Sequence, residues 1–249
     1  MEVEKLGDII WEYISEYFVY PENGLKKLFK FEFNLDEKIG GKLFDEVDKK
    51  KIFVGNWFEN NFELKKVVTS KISNTDKHDD YHKWIVNEWG GIRSFQNFKL
   101  YDKFTSNFDE GKLTAKQFDS ISSLSKIASF EHLEDYFIYD SRIATTLNWI
   151  LLKSSCEVEK YFPIPEGRNS KFKYYSVNTI ITLKYKDKKT EDLFYTKDEV
   201  YILYCKLIKK IYEKYRKEID EPVFIEMLLF SLFENTIDEI HKSVEIIVK

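Results

Sequence analysis

The sequence predicts a mainly helical protein, and three observations support this fold class. Apolar residues recur at helical spacing along most of the 249 residues. Only nine Gly and four Pro interrupt the pattern, which excludes collagen-like and low-complexity chains. The 21 Phe and 16 Tyr exclude a disordered chain. No Pro-, Gly- or Ser-rich linker divides the sequence, so we expect a single domain over residues 1–249, in which any two lobes are packed together.

The predicted helices of the first half follow from apolar spacing and from the residues that interrupt it. Lys5 to Phe18 is the first, and a proline and a glycine separate it from a second apolar pattern over Leu25 to Phe33. Three more predicted helices are Leu43 to Phe53, Phe58 to Val68 and Tyr81 to Trp89. Gly90 and Gly91 follow the last of these and are typical of a left-handed helix C-cap.

The second half contains five predicted helices: Leu113 to Phe118, Ile121 to Phe130, Ser141 to Leu152, Lys197 to Tyr215, and a last one after Pro222 that runs through Phe233. Pro163 and Pro165 predict an extended loop at residues 161–169, because proline removes a backbone donor and restricts φ. Val177 to Tyr185 is rich in β-branched residues and is compatible with a strand or a buried helical turn, so a minor strand element stays open.

Charge, cysteine content and hydropathy narrow the class of protein. The formal net charge is −4, yet residues 151–217 carry +7, which fits either a local phosphate-binding face or solvated lysine-rich helices. Cys156 and Cys205 form no CxxC pair, which argues against a disulfide scaffold and a cysteine-based zinc site. No apolar run reaches the roughly 20 residues of a membrane span, and no signal core is present at the N-terminus. We therefore expect a cytoplasmic monomer without a membrane partner.

Residues 113–152 carry the strongest chemical signal in the sequence. Lys126 lies within a predicted helix, and Asp140 stands directly before the next one. One interpretation makes Asp140 a helix N-cap worth about 1 kcal/mol and Lys126 a solvated lysine on a polar face, together with Ser122, Ser125 and Ser129. The second interpretation brings the Lys126 amine and the Asp140 carboxylate together in one cleft.

The second interpretation comes from a resemblance. The stretch FIYDSRI at residues 137–143 resembles the helix-hairpin-helix DNA glycosylase superfamily, in which an apolar pair precedes an Asp that opens a helix. Within that superfamily it is most similar to bacterial 8-oxoguanine DNA glycosylase-fold proteins, which couple that Asp to a Lys on the preceding helix. SKIA at residues 125–128 and FPIPEGRN at residues 162–169 are also similar. The resemblance implies a two-lobed helical fold with residues 113–152 as the catalytic helix–loop–helix segment.

The resemblance also implies a reaction. Breaking an N-glycosidic bond builds positive charge on the sugar, which the carboxylate of Asp140 would stabilise. A neutral Lys126 amine would add to the anomeric carbon and form a Schiff base, with or without later strand cleavage. The implied partner is double-stranded DNA with an 8-oxoguanine-like or hypermodified base, flipped into an aromatic pocket, in DNA repair or phage defence. No cofactor and no metal are implied.

Six residues are the predicted DNA contacts: Ser123, Ser125, Arg142, Arg168, Asn169 and Lys171. The hairpin at residues 122–125 departs from the superfamily, because it lacks the glycines whose backbone amides cradle a DNA phosphate. This departure motivates an alternative function, a non-catalytic DNA-binding or interaction protein that retains the glycosylase fold.

Two further groups of residues suggest other sites. His78 and His82 stand four residues apart, a spacing that lets two imidazoles share a metal in a hydrolase, although no third ligand is evident. Trp84, Trp89 and the two following glycines frame either a base-binding surface or part of the core.

Overall fold

The computed structural model describes residues 2–20, 24–109, 111–166 and 176–245, and these residues are mainly helical, as predicted. Arg168, Asn169 and Lys171 lie outside the described residues. No strand is present in the described parts of the chain, where Tyr161 and Phe194 form an isolated parallel bridge. No helix among the described residues is long and apolar enough to span a bilayer.

The α-helices of the described residues number sixteen, and in chain order they are α1 (Glu2–Ile14), α2 (Glu16–Val19), α3 (Leu25–Leu28), α4 (Gly40–Leu43), α5 (Glu46–Ile52), α6 (Trp57–Ile72), α7 (His78–Lys83), α8 (Phe104–Asp109), α9 (Ala115–Asp119), α10 (Ile121–Glu131), α11 (Ser141–Lys153), α12 (Val177–Lys184), α13 (Thr190–Leu193), α14 (Val200–Tyr215), α15 (Val223–Ser231) and α16 (Phe233–Ser243). A π-helical segment, Trp84–Trp89, continues α7, and a short 3₁₀ helix spans Phe98–Leu100. The ambiguous stretch from Val177 is therefore helical.

The apolar pattern over Leu25 to Phe33 is only partly helical. Helix α3 ends at Leu28, and Phe29 is extended at φ −75° and ψ 112°. The Asn61 side chain in α6 donates a hydrogen bond of 2.7 Å to the Phe31 carbonyl. This bond satisfies a backbone acceptor outside the helix, so the non-helical residues 29–33 are attached to α6.

Helix α11 lies at the centre of the core. All of its residues except Arg142 and Lys153 are buried, and it packs against α1, α12, α15 and α16. Helix α10 is similarly enclosed between α6 and the π-helical segment. The buried apolar side chains of these helices belong to one continuous core. The two helices that carry Lys126 and Asp140 are thus held on several sides by packing.

The extended loop after α11 is attached to that helix by a buried amide. Asn148 donates to the Phe162 carbonyl at 2.7 Å and accepts from the Phe162 amide at 2.8 Å. The Tyr139 hydroxyl donates to the Pro163 carbonyl at 2.7 Å. The proline-rich loop therefore has a defined position as far as its last described residue, Glu166.

We expect Asn148→Ala to lower the free energy of unfolding by about 2 kcal/mol, because it leaves the buried Phe162 backbone groups without partners. Urea unfolding followed by circular dichroism measures the change. Asn97→Ala is the matched control, since Asn97 is exposed and caps no helix with its side chain. Equal stability of the two variants would contradict the role assigned to Asn148.

Candidate active site

A tight turn between two helices sets the position of Lys126. Helix α9 begins with a capping box in which Thr114 and Gln117 bond each other's backbone amides. The helix ends at Asp119, Ser120 forms the turn, and α10 begins at Ile121. Lys126 lies in the second turn of α10, with its side chain directed to a cavity between the helices.

Asp140 forms the N-cap of α11. Its Oδ1 accepts hydrogen bonds from the Arg142 amide at 3.0 Å and the Ile143 amide at 3.1 Å. This capping satisfies backbone donors that the helix leaves unpaired and places a carboxylate at its positive end. The second oxygen of Asp140, Oδ2, remains available to face another group.

Asp140 Oδ2 lies 3.7 Å from Lys126 Nζ. The same Nζ donates a hydrogen bond of 2.9 Å to the Ser122 carbonyl. Lys126 is 8% exposed, so its interpretation as a solvated lysine is wrong. The N-cap interpretation of Asp140 is confirmed, and it is compatible with the pairing because each task uses a different carboxylate oxygen.

Burial lowers the pKa of Lys126 below its ordinary value. The nearby carboxylates of Asp140 and Glu226 act in the opposite direction, whereas the charges of Arg142 and Lys65 add to the lowering. The net direction is downward, which increases the fraction of neutral, nucleophilic amine at a given pH.

The Lys126–Asp140 pair lies at the wall of a cavity of about 520 Å³. This volume falls within the range of small-molecule sites in proteins, about 300–1,000 Å³. Aromatic rings contributed by five residues line the cavity: Phe29, Phe31, Trp89, Phe95 and Phe230. Charged side chains also line it, and those whose charges act on Lys126 include Lys65, Arg142 and Glu226. The cavity thus combines flat apolar surfaces with a few convergent charged groups.

The π-helical segment packs against α10, and its end lines the cavity beside Lys126. Trp84 is fully buried and belongs to the core, whereas Trp89 reaches the cavity and donates to Asn61 Oδ1 at 3.1 Å. Gly90 and Gly91 follow, and Gly91 adopts the left-handed conformation at φ 66°, which suits the expected C-cap. Segments of π-helix are rare and occur frequently at functional sites.

Gly90 allows Lys126 to approach the π-helical wall closely. A Cβ atom at Gly90 would lie 2.9 Å from Lys126 Cδ and 2.9 Å from the Ile85 carbonyl oxygen. We expect Gly90→Ala to displace the lysine and to lower the melting temperature. Gly41→Ala is the control, because its Cβ would make contacts of 3.4 Å or more. Thermal unfolding of both proteins measures the difference, and an unchanged Gly90→Ala protein would contradict the expected crowding.

The predicted DNA contacts within the described residues have different surroundings. Ser125 is fully buried, and its Oγ accepts from the Tyr139 amide at 3.0 Å, so its assignment as a DNA contact is wrong. Ser123 is also buried but lines the cavity. The guanidinium of Arg142 lies over the Phe230 ring at 4.8 Å, at the edge of the cavity.

His82 of the histidine pair is bonded to a carboxylate. His82 Nε2 lies 2.6 Å from Glu131 Oε1, and the second oxygen of Glu131 accepts from the Tyr101 hydroxyl at 2.6 Å. In the described part of the chain, no group of three His, Cys, Asp or Glu side chains could hold a metal ion. The metal-dependent hydrolase therefore lacks a ligand set among these residues.

Sequence reasoning missed Lys65 and Glu226, two charged residues at the cavity. They lie in α6 and α15, and they are 2% and 3% exposed. Glu226 interrupts the otherwise apolar run of α15, and an isolated charge in such a run is the signal that could have identified it. Lys65 stands beside Leu64 in a helix with several polar residues on its buried side, so its burial had no comparable signal.

The described site is a buried amine paired with a carboxylate at an aromatic-lined cavity, next to a short helix–turn–helix. No protein-family model, no curated protein and no solved structure matches the chain. The functional conclusion therefore depends on the chemistry of this site.

Proposed function

We propose that the protein is a DNA glycosylase that removes a damaged or modified base from double-stranded DNA. The observation that carries the proposal is the buried Lys126 amine, 3.7 Å from Asp140 Oδ2 at the wall of a 520 Å³ cavity. The order of turn at Ser120, lysine in α10 and aspartate opening α11 supports a helix-hairpin-helix glycosylase-like arrangement.

The proposed reaction uses Lys126 as nucleophile. Its neutral amine attacks C1′ of the flipped nucleoside, and the N-glycosidic bond breaks, so that the bonding electrons leave with the base, which takes up a proton. The Asp140 carboxylate stabilises the positive charge that develops on the sugar. The attacking nitrogen loses its two protons, one to the departing base and one to O4′ as the C1′–O4′ bond breaks and the sugar ring opens, which leaves a Schiff base between C1′ and Lys126. Water hydrolyses this intermediate, which releases an abasic aldehyde and restores the amine.

The lining of the cavity is suited to a planar base that has left the DNA stack. Trp89, Phe31 and Phe230 supply ring surfaces against which a flipped base can pack. Arg142 at the cavity edge supplies a fixed positive charge beside the negatively charged DNA backbone. These features favour a nucleoside within DNA over a small aliphatic substrate.

A duplex panel tests the proposal. The duplexes carry oxidised, alkylated or glucosylated bases, and one carries a preformed abasic site. We expect base removal from at least one modified duplex, detected as alkali-labile strand breaks, and a borohydride-trapped protein–DNA adduct. No abasic product and no trapped adduct with any duplex would reject the proposal. The duplex that reacts would also separate repair of oxidised DNA from defence against phage DNA.

One observation favours a second candidate, a DNA-binding protein without turnover. The turn between α9 and α10 consists of Ser120, and neither this turn nor the start of α10 contains a glycine. Binding to modified DNA that is unchanged by Asp140→Asn, without abasic product from either protein, would support this candidate.

A further inference from the structure

A second charged pair is buried beside Lys126 and Asp140. Lys65 Nζ in α6 lies 3.0 Å from Glu226 Oε1 in α15, and both side chains reach the wall of the cavity. Removing two charges from water is costly, and replacing such a pair with apolar residues is often neutral or stabilising. The contacts of the pair point to a role in the site rather than in stability.

Glu226 holds the backbone that leads into Asp140. Its Oε2 accepts a hydrogen bond of 2.7 Å from the Ile138 amide. The next amide, that of Tyr139, donates to Ser125 Oγ at 3.0 Å. Two consecutive amides before the aspartate are therefore bonded to side chains of α15 and α10, which sets the point where α11 begins.

Lys65 is linked to Lys126 through Ser129. Its Nζ lies 3.4 Å from Ser129 Oγ, and that hydroxyl donates to the Lys126 carbonyl at 2.9 Å. The charge of Lys65 lowers the pKa of Lys126, whereas the charge of Glu226 raises it. Glu226 thus contacts the backbone before Asp140 directly, whereas Lys65 is linked to the Lys126 carbonyl through Ser129. The two residues act on Lys126 with opposite charges.

We propose that Lys65 and Glu226 are positioning residues for the Lys126–Asp140 pair, in which Glu226 anchors the backbone before Asp140 and Lys65 balances the Glu226 charge beside the Lys126 amine. The catalytic meaning of this inference rests on the proposed function. Among the described residues, Asp140, the N-cap of α11, and Arg142 in its first turn also act on Lys126 through their charges. On the π-helical side, the neighbour of Lys126 is Gly90, which carries no charge.

A titration without DNA tests the inference. Protein labelled with ¹³C at lysine Cε reports the pKa of Lys126, whose resonance is assigned by its loss in Lys126→Arg. We expect Lys65→Met to raise this pKa by about one pH unit, because a neighbouring cation is removed. Glu226→Gln removes a neighbouring anion and is expected to lower it by a similar amount. The double variant is expected to lie between the two single variants.

Three comparisons separate an electrostatic role from a loss of structure. Lys65→Arg keeps the charge, so it should leave the Lys126 pKa close to that of the parent protein. Lys66→Met is the matched control on the same helix, because Lys66 forms an exposed pair with Glu63 at 2.8 Å. If Lys65→Met fails to fold, the Lys65→Met/Glu226→Gln double variant takes its place, because it leaves no unpaired buried charge. The effect of removing Lys65 is then the difference in Lys126 pKa between the double variant and Glu226→Gln. Shifts of the same sign in the two single variants, or no shift, would overturn the inference.

The same variants distinguish this inference from the proposed function. The pH midpoint of borohydride trapping on abasic DNA should move in the same direction as the Lys126 pKa in each variant. If the Lys126 pKa shifts in opposite directions in Lys65→Met and Glu226→Gln but no adduct is trapped, the glycosylase proposal is rejected. The electrostatic role of Lys65 and Glu226 is then retained. Trapping whose pH midpoint is identical in all variants would reject the role of Lys65 and Glu226 while keeping the enzyme.

Discussion

Lys126→Met is expected to reduce the borohydride-trapped protein–DNA adduct to background, because the variant has no amine to form the Schiff base. The same substitution is expected to raise the free energy of unfolding at neutral pH. Methionine fills a similar space in the enclosed α10 without requiring a buried ammonium or a proton loss on folding. A gain of stability together with a loss of activity is typical of a residue retained for function.

The pH dependence of stability provides a second measurement on this variant. The pKa of Lys126 is lower in the folded protein than the ordinary value of 10.5. Between the two values the unfolded chain binds more protons, so this residue makes the free energy of unfolding rise with pH. Lys126→Met should lack that contribution in urea unfolding at several pH values. Lys66→Met, which changes an exposed lysine, is the control for the stability measurement. In the trapping experiment, an adduct that persists in Lys126→Met would exclude Lys126 as the nucleophile.

Asp140→Asn is expected to slow base removal by about 100- to 1,000-fold, the range for loss of one electrostatic contact to a transition state. Asparagine caps helices about as well as aspartate, so the free energy of unfolding should change little. Asp140→Ala loses the cap as well and should be about 1 kcal/mol less stable. Trapping on DNA that already contains an abasic site should persist in Asp140→Asn, because no glycosidic bond is then broken.

Asp45→Asn supplies the matched control for this prediction. Asp45 is also the N-cap of a helix, α5, and accepts from the Val47 and Asp48 amides, but it is not at the cavity. Its substitution should leave base removal unchanged. An equal loss of base removal in Asp45→Asn and Asp140→Asn would mean that the effect arises from helix capping and not from the carboxylate facing Lys126.

The local features of the site follow from the sequence. Asp140 before an apolar-periodic stretch predicts the start of α11, since a short acidic side chain satisfies free helix amides within its own turn. The spacing of Ile121, Leu124 and Ile127 similarly predicts α10 and places Lys126 on it. These predictions depend on contacts between residues that are close together in the sequence, so the local sequence is sufficient to make them.

The tertiary structure decided which side chains meet. The serines and Lys126 of α10 suggest a solvated face, yet Ser125, Lys126 and Ser129 are buried. The loop before α11 supplies a hydrogen-bond partner for Ser125, and α6 supplies one for Ser129. Lys65 and Glu226 are 161 positions apart and meet only through helix packing. The sequence alone thus determined α10, α11 and the cap that opens α11, which arise from short-range backbone bonding. Burial, pairing and the lowered pKa of Lys126 required the folded chain, because they depend on groups brought together from distant helices.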